Sequence, residues 1–131
     1  MIVLDTSAMV EFLLVRDKAG LRVRQAVSGN PIAAPHAVDL ECASVFRGMV
    51  LGGKLHAGIA ADAIDLLDRM DLRRFDHAPL MRRVWELRNN MWPYDAAFAA
   101  LAEYLDVPLI TLDKKFAGTP DIRCEVRNLR D

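Results

Sequence analysis

Short strand-like segments alternate with longer segments of helical periodicity, and this alternation restricts the possible folds more than any other feature of the sequence. Parallel strands need long crossover connections, which helices supply. The pattern therefore predicts an α/β fold: one domain over residues 1–131, with a mostly parallel five-stranded sheet and helices on both faces. Strands are predicted near 2–4, 32–34, 72–75, 108–112 and 122–126, and helices near 7–15, 17–28, 37–51, 56–70, 79–91 and 94–105.

The composition limits the kinds of partner and the compartment. Charged residues nearly balance at a net charge of -1, so any contact with nucleic acid is expected to be local. Two cysteines, Cys42 and Cys124, do not suggest a disulfide-built secreted scaffold, and we expect a reducing cytoplasm. We also expect no leader before Met1 and no contact with a membrane, because no apolar run approaches the roughly 18 residues that a membrane span requires.

Two aspartates come directly after predicted strands. Asp5 follows the first strand and Asp113 follows the fourth. Ligands of open parallel sheets bind beyond the carboxyl ends of the strands, so the two carboxylates converge if these strands are neighbours. Each also has an ordinary structural explanation, since Asp5 can cap a helix and Asp113 can form a turn. The first turn lacks the glycine-rich phosphate-binding motifs, which favours a cation over a phosphate.

Two further acids lie on predicted helices. Glu41 has small neighbours on its own side of the helix, which would let it lie beside a cleft, whereas Asp39 points elsewhere and is the competing candidate. Asp95 shares a stripe with apolar residues and should face inward. The alternatives are an exposed glutamate at position 41 and an aspartate that stabilises the dipole of its helix at position 95.

Four carboxylates in one pocket would repel each other unless a cation compensated their charge. Oxygen ligands favour Mg²⁺ or Mn²⁺, and the three scattered histidines make zinc improbable. Such an ion can activate water and stabilise a leaving oxygen in phosphodiester hydrolysis. The hydroxyl groups of Thr6, Ser7 and Thr111 lie close enough in sequence to Asp5 or Asp113 to orient a carboxylate, a water molecule or a phosphate.

Four segments together resemble one known family. They are Ile2–Ala8, Asp39–Glu41, Tyr94–Ala96 and Leu109–Phe116, and their order and spacing are similar to those of PIN domains, most of all to the VapC-type toxins of toxin–antitoxin systems. The resemblance spans nearly the whole chain. It implies a PIN-like fold with the first strand central, and a Mg²⁺ or Mn²⁺ site built from Asp5, Glu41, Asp95 and Asp113.

The resemblance also implies an activity and partners. These are endonucleolytic cleavage of RNA, inhibition by a cognate antitoxin that often presents a basic residue to the acid pocket, a homodimer, and binding of promoter DNA through the antitoxin only. Some family members carry an additional acid near the fourth one, whereas here Lys114 and Lys115 follow Asp113. One and two metal ions therefore both remain open. The two lysines are candidate contacts for RNA phosphates, as are Arg82, Arg83 and Arg88.

Two other kinds of function are alternatives to this one. A non-catalytic, receiver-like module would hold Mg²⁺ in an acidic pocket, but it should show paired acids after the first strand, where Asp5 stands alone. A PIN domain that has lost its activity is the second, and the retained acids count against it. We further expect an apolar groove on the first two helices to bind the antitoxin. Its candidate residues are Phe12, Leu13, Leu14, Leu21 and Val23.

Overall fold

The computed structural model describes residues 1–130 and contains one five-stranded sheet in which every pair of neighbouring strands is parallel. The strand order is β3-β2-β1-β4-β5, so the first strand is central as expected. The predicted single α/β domain is confirmed. The strands are β1 (Ile2–Leu4), β2 (Ile32–Pro35), β3 (Leu72–Phe75), β4 (Leu109–Thr111) and β5 (Val126–Asn128).

Within the described part of the chain, residues 1–130, six α-helices cover the sheet. They are α1 (Thr6–Leu14), α2 (Lys18–Val27), α3 (Ala37–Leu51), α4 (Ala57–Arg69), α5 (Met81–Glu86) and α6 (Pro93–Leu105). Right-handed crossovers from β1 outward to β3 put α1 to α4 on one face, and the return from β3 to β4 puts α5 and α6 on the other. Within residues 1–130 no helix has the length and apolar character to cross a membrane.

Helix α6 packs closely on the centre of the sheet because its inner side is built from alanines. It contacts β1, β2 and β4. Five of its alanines are buried, and small side chains let the helix backbone approach the strands. They are Ala96, Ala97, Ala99, Ala100 and Ala102. Because α6 runs against the strand direction, its first turn lies at the carboxyl edge of the sheet, where Asp95 is located.

The position of β1 between β2 and β4 creates the cleft at this edge. The chain leaves β1 toward β2 on one side and returns to β4 on the other, and ligands of open α/β sheets bind where the strand order reverses in this way. Leu4 pairs with Ile110, and the amide of Asp5 donates to the carbonyl of Ile110 at 3.1 Å. This register brings Asp5 beside Thr111.

Two predicted elements were wrong in extent. The helix expected at 79–91 is a 3-10 helix (Ala78–Leu80) followed by the short α5, and the chain continues in turns, in which the amide of Arg88 bonds the carbonyl of Trp85. The strand expected at 122–126 begins only at Val126, because the amide of Arg123 donates to the side chain of Glu103 instead of joining the sheet.

The predicted apolar groove on the first two helices is also wrong. Leu13 and Val23 are core residues with 7% and 0% exposure, because α1 and α2 pack against each other. Phe12 and Leu14 pack partly buried against the same core, and only Leu21 is largely exposed. Four of the five residues therefore belong to the hydrophobic core or pack against it, and they do not form the open groove that was predicted.

Candidate active site

Asp5 is a buried carboxylate at the end of β1, and it makes three hydrogen bonds. Oδ1 accepts from the hydroxyl of Ser7 at 2.7 Å and from the amide of Ala8 at 2.9 Å, which caps α1. Oδ2 accepts from the hydroxyl of Thr111 at 2.5 Å. A carboxylate offers about four acceptor positions, so these bonds fix its orientation and leave roughly one position for a ligand in the cleft. Capping and a functional role are therefore compatible at Asp5.

The hydroxyls of Ser7 and Thr111 tie the segments after β1 and β4 together. Each donates its proton to Asp5 and accepts a backbone amide from beyond β4: Ser7 from Leu112 at 3.0 Å and Thr111 from Asp113 at 2.9 Å. Burial raises the pKa of the Asp5 carboxyl, whereas the hydrogen bonds from Thr111, Ala8 and Ser7 lower it. The pKa of Asp5 stays above its ordinary value because burial has the largest effect, and the two hydroxyls partly offset that effect by stabilising the ionised form.

Glu41 extends from α3 toward the same cleft. Its Oε1 accepts a hydrogen bond from the hydroxyl of Thr6 at 3.0 Å. Burial raises the pKa of the Glu41 carboxyl, and the negative charges of Asp95 and Asp5 raise it further, while the bond from Thr6 lowers it. The charges of the three acids therefore interact. All three can be ionised together in the cleft only if a positive charge compensates them.

Asp39 lies outside this cleft. Its two carboxylate oxygens accept from Nε and Nη2 of Arg74, at 2.7 and 2.8 Å. Such a bidentate pair gives Asp39 a structural explanation, since it joins α3 to β3. The expectation that Asp39 points away from Glu41 agrees with this arrangement.

Asp95 and Asp113 share a lysine. The ammonium of Lys115 lies 2.9 Å from Oδ1 of Asp95 and 3.1 Å from Oδ2 of Asp113. The other oxygen of Asp113 accepts the amide of Lys115 at 3.0 Å, which caps the 3-10 helix Lys114–Phe116. Partial burial acts to raise the pKa of the Asp113 carboxyl, but the two bonds from Lys115 and the charges of Lys115 and Arg130 lower it.

All four acids line one open cleft of about 420 Å³. Three further charged residues on its wall were not predicted from the sequence: Glu11, Arg16 and Arg130. Glu11 follows Ser7 by one helical turn, a spacing that could have placed it on the same side of α1. Arg130 is near the end of the chain, where it donates from Nε to the carbonyl of Leu112 at 2.7 Å, and no local pattern signals that contact.

The donor set suits a hard divalent cation, although the side chains are not gathered around one point. Every acidic ligand candidate supplies oxygen, which Mg²⁺ and Mn²⁺ prefer. Within residues 1–130, however, no group of three or more His, Cys, Asp or Glu side chains is arranged to hold a metal ion. The ammonium of Lys115 lies between Asp95 and Asp113, which contributes to the separation of these two carboxylates. The residues fit such an ion by their chemistry, provided that Lys115 moves.

Three of the five basic residues expected to contact RNA have other partners in this structure. Arg83 binds Glu103 through Nε at 2.7 Å, and it also bonds Glu86 and the carbonyl of Asp121. Arg88 lies over the ring of Trp85. The ammonium of Lys115 contacts carboxylates. Of this set, Arg82 and Lys114 are exposed residues available to a phosphate.

Comparison with known proteins places this architecture in a family. The family model of the PIN domain matches residues 2–122. Ribonuclease VapC1 of Mycobacterium tuberculosis strain H37Rv is 34% identical over 129 residues, which cover 98% of this chain and 97% of that protein. Ribonuclease VapC9 of the same strain is 34% identical over 126 residues, with 96% of each chain covered. The chain therefore belongs to the PIN-domain family, and within that family to the VapC group.

Solved structures agree with this fold. VapBC2 from Rickettsia felis, bound to a DNA fragment from its promoter, superimposes with a TM-score of 0.67 at 20% identity and covers 98% of both chains. VapBC-1 from nontypeable Haemophilus influenzae superimposes with a TM-score of 0.61 at 20% identity, again with 98% of both chains covered. At these identities the likeness concerns the arrangement of strands and helices.

Proposed function

We propose that this chain is an endoribonuclease that acts as the toxin of a toxin–antitoxin pair, with a Mg²⁺ or Mn²⁺ ion held by Asp5, Glu41, Asp95 and Asp113. The observation that carries the proposal is the convergence of these four carboxylates on one cleft at the reversal point of the sheet. The VapC names of relatives that match nearly the full chain support RNA as the substrate. A receiver-like module has no comparable support, since Asp5 is alone after β1.

The reaction proposed is attack of water on phosphorus in line with the departing 3′ oxygen, which leaves 5′-phosphate and 3′-hydroxyl ends. A bound Mg²⁺ or Mn²⁺ would supply the charge that lowers the pKa of a water molecule and stabilises the departing oxygen. Asp5 provides an oriented carboxylate, because Ser7 and Thr111 hold it through their hydroxyls. Thr6 holds Glu41 in the same way.

We further propose that the chain acts in the cytoplasm, where RNA is available, and that a cognate antitoxin controls it. Solved VapBC complexes among its structural neighbours support such a partner, and promoter DNA would then be bound through the antitoxin. Beyond the acids, the cleft is lined by apolar side chains of α1 and α3. They are Val10, Val45 and Met49. This combination suits an antitoxin segment that carries both apolar and basic side chains.

A metal-dependent cleavage assay tests the function. Purified chain should cleave single-stranded RNA internally with Mg²⁺ or Mn²⁺ and should not do so in EDTA. The Asp5→Asn variant, in which asparagine can still cap α1, should lose cleavage under all conditions. Equal cleavage in EDTA, or an Asp5→Asn variant as active as the unmodified chain, would contradict the proposal.

A homodimer is the last part of the proposal, and an exposed aromatic surface between α5 and α6 supports it. Trp85 and Trp92 are 66% and 77% exposed beside a groove of about 570 Å³. Arg88 is the one charged residue among those that line this groove, and tryptophan, methionine and arginine are enriched in protein interfaces. Trp92 directly precedes α6, so a partner bound here would lie close to Asp95.

We expect a variant with both Trp85→Glu and Trp92→Glu to be monomeric at concentrations where the unmodified chain is dimeric, because two buried charges would oppose association. Light scattering coupled to size-exclusion chromatography measures this. Tyr104→Glu is the matched control, since Tyr104 is a similarly exposed aromatic residue near the other end of α6. A double variant that remains dimeric would exclude this surface as the interface.

A further inference from the structure

Lys115 is one of three basic residues that line the acid cleft, with Arg16 and Arg130, and its ammonium forms ion pairs with two of the four acids. Its ammonium contacts one oxygen of Asp95 and one of Asp113, which come from different elements, α6 and the turn after β4. The backbone next to Lys115 is also held in place by the core. Phe116, the next residue, is 2% exposed and anchors the 3-10 helix in the core, so the backbone of Lys115 is fixed at the mouth of the cleft.

The contacts of Lys115 occupy oxygens of Asp95 and Asp113 that a divalent cation could use. Asp5 has two of its acceptor positions taken by hydroxyls and one by an amide, and Glu41 has one oxygen bonded to Thr6. Oδ1 of Asp113 accepts the amide of Lys115 and the ammonium contacts Oδ2, so Lys115 contacts both oxygens of this carboxylate. A cation that binds both Asp95 and Asp113 must therefore displace the ammonium of Lys115.

The side chain can nevertheless leave without disturbing the fold. Lys115 is 45% exposed, and its ammonium rests at the end of a flexible four-carbon stem. Partly exposed ion pairs are weak and are readily exchanged. A doubly charged ion can therefore displace the ammonium of Lys115 from Asp95 and Asp113 and release it to solvent.

We propose that Lys115 is an internal counter-ion that competes with the divalent cation for Asp95 and Asp113. It offsets part of the charge of these two carboxylates when no metal is bound, moves aside when metal enters, and so raises the metal concentration at which the site fills. The inference rests on the proposed function, since it requires that these acids bind metal. It gives Lys115 a positioning role, distinct from contact with an RNA phosphate.

Titration calorimetry with Mn²⁺ on the full chain tests the proposal. Lys115→Met removes the charge but keeps the stem, and it should bind Mn²⁺ about three- to tenfold more tightly than the unmodified chain, because two partly exposed ion pairs no longer oppose the metal. Lys115→Arg should stay within about threefold of the unmodified chain. Lys114→Met is the matched control, since Lys114 is exposed outside the acid cleft, and its affinity should not change.

Thermal unfolding in EDTA supplies a second readout. Lys115→Met should melt at a lower temperature than the unmodified chain there, and the difference should shrink or reverse in saturating Mn²⁺, because the metal takes over the neutralisation of the acids. Equal or weaker Mn²⁺ binding by Lys115→Met, while the unmodified chain binds Mn²⁺ and cleaves RNA, would overturn this inference alone. Absence of Mn²⁺ binding in the unmodified chain and in Lys115→Met would overturn the metal site and the inference with it.

Discussion

RNA cleavage by the Glu41→Gln variant should fall more than about 100-fold, since even residues that only support metal ligands typically contribute 10- to 100-fold. Glutamine retains an oxygen that can accept the hydroxyl of Thr6, so the substitution removes charge with little change in shape. The rate of cleavage of a labelled RNA at saturating Mn²⁺ measures the effect. Unchanged cleavage would exclude Glu41 from the site.

The same variant should be more stable than the unmodified chain in EDTA at neutral pH. Because burial and the charges of Asp95 and Asp5 raise the pKa of Glu41, its ionised form opposes folding there. This contribution to the free energy of unfolding is fully favourable below the ordinary carboxyl range and is lost as pH rises through the raised pKa. Thermal unfolding of Glu41→Gln should show less of that pH dependence.

Asp39→Asn is the matched control, two residues earlier on the same helix. It breaks the pair with Arg74, which at this exposure should cost about 0.2–1 kcal/mol of stability, and it should leave most RNA cleavage intact. A variant at position 39 that loses more activity than Glu41→Gln would mean that the roles of the two acids are reversed.

Replacing Thr111 by valine should cause the largest loss of stability among the site residues. Thr111 is fully buried, donates to Asp5 and accepts the amide of Asp113. Valine has a similar shape but leaves a buried carboxylate and an amide without this partner, which should cost about 2–3 kcal/mol. For a domain of this size we expect the melting temperature to fall by roughly 6–12 °C. Urea unfolding gives the free energy directly.

Cleavage should decline as well, since the carboxylate of Asp5 loses a bond that orients it. Thr111→Ser separates the two effects, because serine keeps the hydroxyl and loses only a methyl group, at a cost of about 1 kcal/mol. The serine variant should retain cleavage and most of the stability. A valine variant as stable as the unmodified chain would show that water or another group replaces the hydroxyl.

Most of the sheet could be predicted because its inner strands are apolar on both faces. β1, β2 and β4 are buried throughout, and such segments are recognisable from their residues alone. The predictions failed where contacts between distant segments determine the extent or burial of an element. The amide of Arg123 bonds Glu103, which delays the start of β5, and Leu13 is buried because α2 lies over it. Apolar residues on a helix do not reveal whether another helix of the same chain covers them.

The acids of the site could be proposed from their places after strands and on helix faces, because the topology follows from the alternation of elements. The functional roles of Asp5, Glu41, Asp95 and Asp113 stay predictions. The contacts of Lys115 could not be foreseen. Its charge is evident from the residue type. The direction of its long side chain, however, depends on Asp95, which only the fold brings close. Asp113 therefore has a nearby counter-ion, and we expect Asp113→Asn to gain no stability in EDTA.

The hydroxyl bonds that join the segments after β1 and β4 have a consequence for the ribosome that makes the chain. Thr111 and Asp5 are separated by 106 positions, so the cleft cannot form while the nascent chain ends before β4. Contacts this distant in sequence form late in folding. Under the proposed function, a nascent chain should therefore leave the RNA beside it intact until almost all of it has emerged, and any premature stop before residue 109 yields an incomplete site.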